Sequence, residues 1–153
     1  MNQAQSGAGP RLSAETLHAS TVAIDGRAVI ITGPSGSGKS DLALRLIDRG
    51  FALVSDDRTL VSRDGDRLVA SPPPSIAGKL EIRGIGIVEV EQVGEVPVAL
   101  LVELASEFER LPDDNRQRSI FGIPVPFVSI DAMTASAAAK VVMSLEVIGL
   151  KFQ

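Results

Sequence analysis

Gly33-Pro34-Ser35-Gly36-Ser37-Gly38-Lys39-Ser40 is the stretch that decides how the rest of the chain is read. It satisfies every position of the G-x-x-x-x-G-K-[S/T] pattern. The glycines of that pattern let backbone N–H groups turn inward around phosphate oxygens. The lysine adds a point charge for the outer phosphates, and the hydroxyl after it can hold Mg²⁺. A helix starting near Ser40 would aim its positive end at the anion. Nucleoside triphosphate binding follows from the octapeptide; the phosphate acceptor does not.

The flanks agree with a strand–loop–helix unit. Val22–Ile24 and Arg27–Thr32 are short β-branched runs separated by Asp25-Gly26, a pair whose residues both tolerate positive φ, so they predict a hairpin. After the loop, Ser40–Arg49 has apolar residues at 42, 43, 46 and 47 and charges at 41, 45, 48 and 49. That spacing predicts one amphipathic helix, stopped by Gly50. Phe51–Val54 reads as a strand running into Asp56-Asp57. Thr59–Ser62 and Arg67–Ala70 flank a turn and predict a second hairpin.

Further along, the prolines of Ser71–Ser75 predict a loop. Leu80–Arg83, Gly86–Val90 and Pro97–Leu104 read as strands, and residues 105–122 as a polar loop with a short helix. Pro124 and Pro126 bracket a return to Phe127–Ile130, and Thr134–Leu145 has the composition of a closing helix.

The totals limit the possible classes. The chain has 153 residues, a net charge of −4, no cysteine, and only 3% aromatic residues within a 44% hydrophobic content. A Val/Ile/Leu/Ala core suits strands covered by helices. Without cysteine there is neither a disulfide framework nor a thiolate metal site, which fits a reducing cytoplasm. The basic residues are scattered, so no nucleic-acid-binding face is readable. The apolar run Val96–Leu104 contains Pro97 and Glu103 and is too short to cross a bilayer. Residues 1–14 read as a polar tail and 15–153 as a single domain.

Two clusters beyond the phosphate loop carry candidate chemistry. Asp56-Asp57 ends a strand that should lie beside the loop, where a carboxylate could act as base or metal ligand. Asp is also common at strand-ending turns. Leu80-Glu81-Ile82-Arg83-Gly84-Ile85-Gly86-Ile87 places two charges and two glycines in an otherwise apolar strand. Glu81 could ligate Mg²⁺ and Arg83 could neutralise phosphate, or the two could pair on an exposed face. Taken alone, His18 and Arg110 read as ordinary surface residues. The residues by themselves leave three readings open: a protein serine kinase, a small-metabolite kinase, and a nucleotide-dependent regulatory module.

The ordered set of these segments resembles the catalytic domain of the HPr kinase/phosphorylase family. His18 introduces the strand pair, Leu46–Asp57 matches L-x-x-R-G-h-x-L-x-x-D-D, Leu80–Ile87 matches L-E-I-R-G-x-G-I, and Glu107–Pro112 follows. The resemblance implies a P-loop α/β fold of the HPr kinase/phosphoenolpyruvate carboxykinase type, a mixed sheet with flanking helices. It implies an ATP- and Mg²⁺-dependent serine kinase acting on an HPr-like phosphocarrier, and a hexameric assembly.

Carried onto this chain, residues 33–40 bind the nucleotide, with Lys39 on the phosphates. Ser40 and Glu81 hold Mg²⁺, Asp57 takes the proton from the acceptor serine, and His18 and Arg110 join the active site. Asp56 and Arg83 stand as further candidates. The family's Arg-Pro-Gly-Arg-Asn segment before the last helix, linked with the reverse phosphorolytic reaction, is missing. Ile123–Asp131 carries no arginine in its place.

Overall fold

The computed structural model of the chain describes residues 14–106 and 116–152. Its elements in order are β1 (Glu15–Leu17), β2 (Ala19–Ile24), β3 (Arg27–Thr32), α1 (Lys39–Asp48), β4 (Ala52–Ser55), β5 (Thr59–Asp64), β6 (Arg67–Ser71), β7 (Lys79–Ile82), β8 (Gly86–Glu89), β9 (Val96–Leu104), β10 (Gln117–Ile120), β11 (Ile123–Ile130) and α2 (Ala137–Ile148). Nine of the strands form one sheet, and β7 and β8 pair separately.

The hairpin predicted around Asp25-Gly26 is present. Both residues have positive φ (54° and 73°), and β2 and β3 pair antiparallel along their whole length. Helix α1 buries Leu42, Ala43 and Leu46, as its spacing requires, and Gly50 at φ 105° ends it. Each fully buried leucine contributes about 2 kcal/mol of apolar transfer free energy. The β5–β6 hairpin is also as expected. Within the proline loop, Pro74–Ile76 forms one turn of 3₁₀ helix.

The second half departs from expectation in three places. Gln117–Ile120, read as loop or short helix, is a strand, and residues 107–115 lie outside the described residues. Pro124 and Pro126 lie inside β11 rather than outside a strand. The Phe127 amide donates to the Arg116 carbonyl at 2.8 Å, so by the strand's twofold alternation the odd-numbered N–H groups face β10. The two proline nitrogens therefore face the other edge, where pairing with β9 begins only at Phe127. Finally, the closing helix starts at Ala137 and runs to Ile148, about one turn later than its composition suggested.

β9 organises the molecule. One of its edges pairs with β3 in parallel. The other pairs first with β6 antiparallel, at Val96 and Pro97, and then with β11 in parallel from Leu101. The sheet therefore forks, and β5 and β6 curl across one face. Leu100 and Val102 face a core shared with α1 and α2, whereas Val98 and Leu101 face a second core built with Val61, Leu68, Val125 and Phe127.

The topology also creates a rim. β3, β9 and β11 run in parallel, and β4 takes the same direction because the antiparallel β2 lies between it and β3. Their carboxyl ends, Thr32, Leu104, Ile130 and Ser55, open at one edge, and β2 begins there. The carboxyl edge of such a sheet is where α/β folds bind ligands.

Candidate active site

Strand β3 delivers the chain into the phosphate loop at this rim. The loop closes with Ser37 N–H donating to the Pro34 carbonyl at 3.0 Å, and Gly38 at φ 101° turns into α1. Room is tight. A Cβ on Gly33 would lie 2.6 Å from Ser37 Oγ and 3.0 Å from Leu104 Cβ, and one on Gly38 would lie 3.2 Å from Ala132 Cβ. Lys39 is buried, and its ammonium donates to the Gly33 carbonyl at 2.9 Å and the Pro34 carbonyl at 3.2 Å. The cation that phosphate requires is thus held over the loop by the loop's own backbone.

Asp56 sits at the floor of the site, only 7% exposed. A buried carboxylate must be hydrogen-bonded, and three donors reach it. Ser40 Oγ and Ser20 Oγ donate to Oδ1 at 2.7 and 2.8 Å, and the Glu81 N–H donates to Oδ2 at 3.2 Å. One side chain therefore joins the helix after the phosphate loop, the first residues of β2, and the separate β7–β8 hairpin.

The next residue behaves differently. Asp57 is exposed and takes the left-handed conformation at φ 67°, which Asp tolerates better than most residues. Its N–H donates to Ser20 Oγ at 3.1 Å. The doublet is thus split into a buried member touching Ser40 and a solvent-facing member beside it.

The remaining candidates are distributed as follows. His18 is exposed and lies one residue before Ala19, which pairs with Thr32, so it stands at the same rim. Glu81 is exposed at the position whose amide meets Asp56. Arg83 is exposed in the turn between β7 and β8, outside the strand in which it was expected, and Leu80 anchors that hairpin in the core. Arg110 lies outside the described residues.

Sequence reasoning missed a buried polar layer behind the doublet. Thr59 Oγ1 donates to the Ala19 carbonyl and meets Thr21 Oγ1, each at 2.9 Å, so Thr21 must donate in the second contact. Ser55 Oγ donates to the Arg58 carbonyl. The only signal was a set of small hydroxyl residues at the strand ends, and apart from Ser55, which bonds locally, their partners lie 36 to 40 residues away.

The donor set suits Mg²⁺. It offers the Asp56 carboxylate, the Ser40 hydroxyl and position 81 close by, all oxygen donors, leaving further positions for water and phosphate. Among the described residues no group of three or more His, Cys, Asp or Glu could hold a metal by itself.

A phosphate-loop hydroxyl and an Asp sharing one site is a feature of P-loop NTPases in general, so the wider likeness decides. Residues 11–152 match the model of the HPr serine kinase C-terminal domain. The chain belongs to that family. Within it, the chain is 38% identical over 143 residues to the HPr kinase/phosphorylase of Limosilactobacillus reuteri, covering 85% of this chain and 45% of that protein. The corresponding Latilactobacillus sakei protein is 34% identical over 151 residues, covering 90% and 47%. The chain thus spans less than half the length of either relative. A solved structure, the HPr(Ser) kinase/phosphatase from Coxiella burnetii, superposes with a TM-score of 0.77 at 31% identity, covering 86% of this chain and 94% of that one. The fold of the HPr kinase C-terminal domain is therefore the fold seen here.

Proposed function

We propose that the chain is the catalytic unit of an ATP- and Mg²⁺-dependent protein serine kinase whose substrate is a small HPr-like phosphocarrier in the cytoplasm. The observation that carries this is the Ser40–Asp56 contact at the floor of the phosphate loop, with Asp57 presented to solvent at the same rim. The names of its relatives point to the same acceptor. Among the described residues no helix is long and apolar enough to cross a membrane.

In this reading the loop amides and Lys39 grip the outer phosphates, and Ser40, Asp56 and Glu81 hold Mg²⁺. When bound, Mg²⁺ neutralises charge on those phosphates. The acceptor serine approaches from solvent. Asp57 accepts its hydroxyl proton as that oxygen attacks the terminal phosphorus and the bond to ADP breaks. Positioning and charge neutralisation supply most of the rate, because phosphoryl transfer needs little covalent work from the protein. His18, Arg83 and Arg110 complete the charge around the transferred group, and the working assembly is a homo-oligomer.

The decisive assay combines the purified chain with an HPr-like carrier, ATP and MgCl₂, and maps phosphoserine on the carrier by mass spectrometry. Transfer is expected with the native chain and absent with Asp57→Ala, which should still bind ATP. Equal loss of binding and transfer in that variant would overturn the assigned role of Asp57. Adding inorganic phosphate alone to the phosphorylated carrier, and following the release of pyrophosphate and free serine, tests the phosphorolytic reaction.

A further inference from the structure

Resting on this reading of the site, we propose that Ser20 is a positioning residue that sets both aspartates at once. Its hydroxyl is fully buried at the start of β2. A hydroxyl has one proton to give and lone pairs to receive, and Ser20 uses both functions in adjacent directions. It gives its proton to Asp56 Oδ1 at 2.8 Å and accepts the Asp57 N–H at 3.1 Å.

The first bond holds Asp56 Oδ1 in the place where Ser40 Oγ also reaches it, at 2.7 Å. The second pins the amide of a non-glycine residue in the left-handed region, at φ 67°. Without that acceptor, the peptide between the two aspartates keeps only the bond that its carbonyl accepts from the Arg58 N–H at 2.7 Å, and its own N–H is left unpaired. The metal-side carboxylate and the solvent-side carboxylate would then lose their common reference. Ser20 touches neither phosphate nor acceptor; it acts through Asp56 and Asp57.

The test uses the full chain with Ser20→Ala and with Ser20→Cys, which fills the same space while offering only a weak donor and acceptor. Two readouts are needed. One is ATP affinity by calorimetry with and without MgCl₂. The native chain should gain affinity from the metal, and both variants should lose severalfold of that gain while their metal-free affinity stays within about twofold. This readout needs no catalysis, so it remains decisive even if the carrier is not phosphorylated and the kinase reading fails.

The other is steady-state transfer to the carrier. Both variants should lower kcat at least tenfold, while the KM for ATP rises by no more than the severalfold loss of metal-dependent affinity. Measured against the residual rate of Asp57→Asn, adding Ser20→Ala should cost less than it does in the native chain, because only the part acting through Asp56 remains to be lost. Unchanged metal dependence in both variants, or a Ser20→Ala loss that multiplies fully with Asp57→Asn, would overturn the proposal. A variant that lost metal-free affinity and metal-dependent affinity alike would show Ser20 to be merely structural, and would overturn it too.

Discussion

The two aspartates show how far a single residue's environment can separate identical chemistries. Asp56 is buried and takes three hydrogen bonds, whereas Asp57 is exposed and gives up only its backbone amide. Removing Asp56 should therefore abolish the contribution of Mg²⁺ to ATP affinity, while removing Asp57 should leave that contribution in place. Calorimetric titration of Asp56→Ala and Asp57→Ala at two MgCl₂ concentrations separates them. The sequence could show the pair but not its division, because burial depends on β2, which lies some 36 residues earlier. Gly33 makes a second case. An added methyl would press on Ser37 and Leu104, so Gly33→Ala should distort the loop and weaken ATP binding more than tenfold. The variant's thermal midpoint should also fall by a few degrees, since Leu104 belongs to the core shared with α1 and α2.

Elements were legible where their signals were local. The Asp25-Gly26 turn, the spacing of Leu42, Ala43 and Leu46, and the glycine at 50 each act within a few residues, and all three features appear as read. β10 was not legible, because its alternation carries no burial pattern and its stability comes from elsewhere. Arg118 makes a two-pronged ion pair with Glu103, at 2.8 and 3.1 Å, and lies 3.7 Å over the Phe127 ring. The closing helix depends on a distant tie as well. Arg27, the first residue of β3, donates to the Leu145 carbonyl at 2.8 Å and the Leu150 carbonyl at 2.9 Å, satisfying the helix end. Arg27→Ala should cost about 0.5–1.5 kcal/mol, the scale of ordinary hydrogen bonds, because both contacts are partly buried and the Leu145 carbonyl keeps the Gly149 N–H at 3.1 Å; chemical denaturation would show it as a lower midpoint at unchanged slope.

At the scale of the whole molecule, β9 is shared by both cores, so they should not melt separately. Leu100 and Leu101 are neighbours on this strand that face opposite cores. Leu100→Ala and Leu101→Ala should each destabilise by about 2–5 kcal/mol, and each variant should still unfold in a single calorimetric transition. Two resolved transitions in either would contradict the shared-strand account. No local pattern in Val96–Leu104 announced the fork. The stretch reads as an apolar strand whichever neighbours it has, and its three partners come from both halves of the chain. The forked strand also separates scaffold from recognition. The connection leaving Ile130 emerges at the same rim as the phosphate grip, and the Met133 side chain on it faces solvent rather than the strands beneath. Residues such as Met133, 77% exposed in the connection after β11, can therefore be rewritten to suit a new docking protein while the framework beneath keeps its shape.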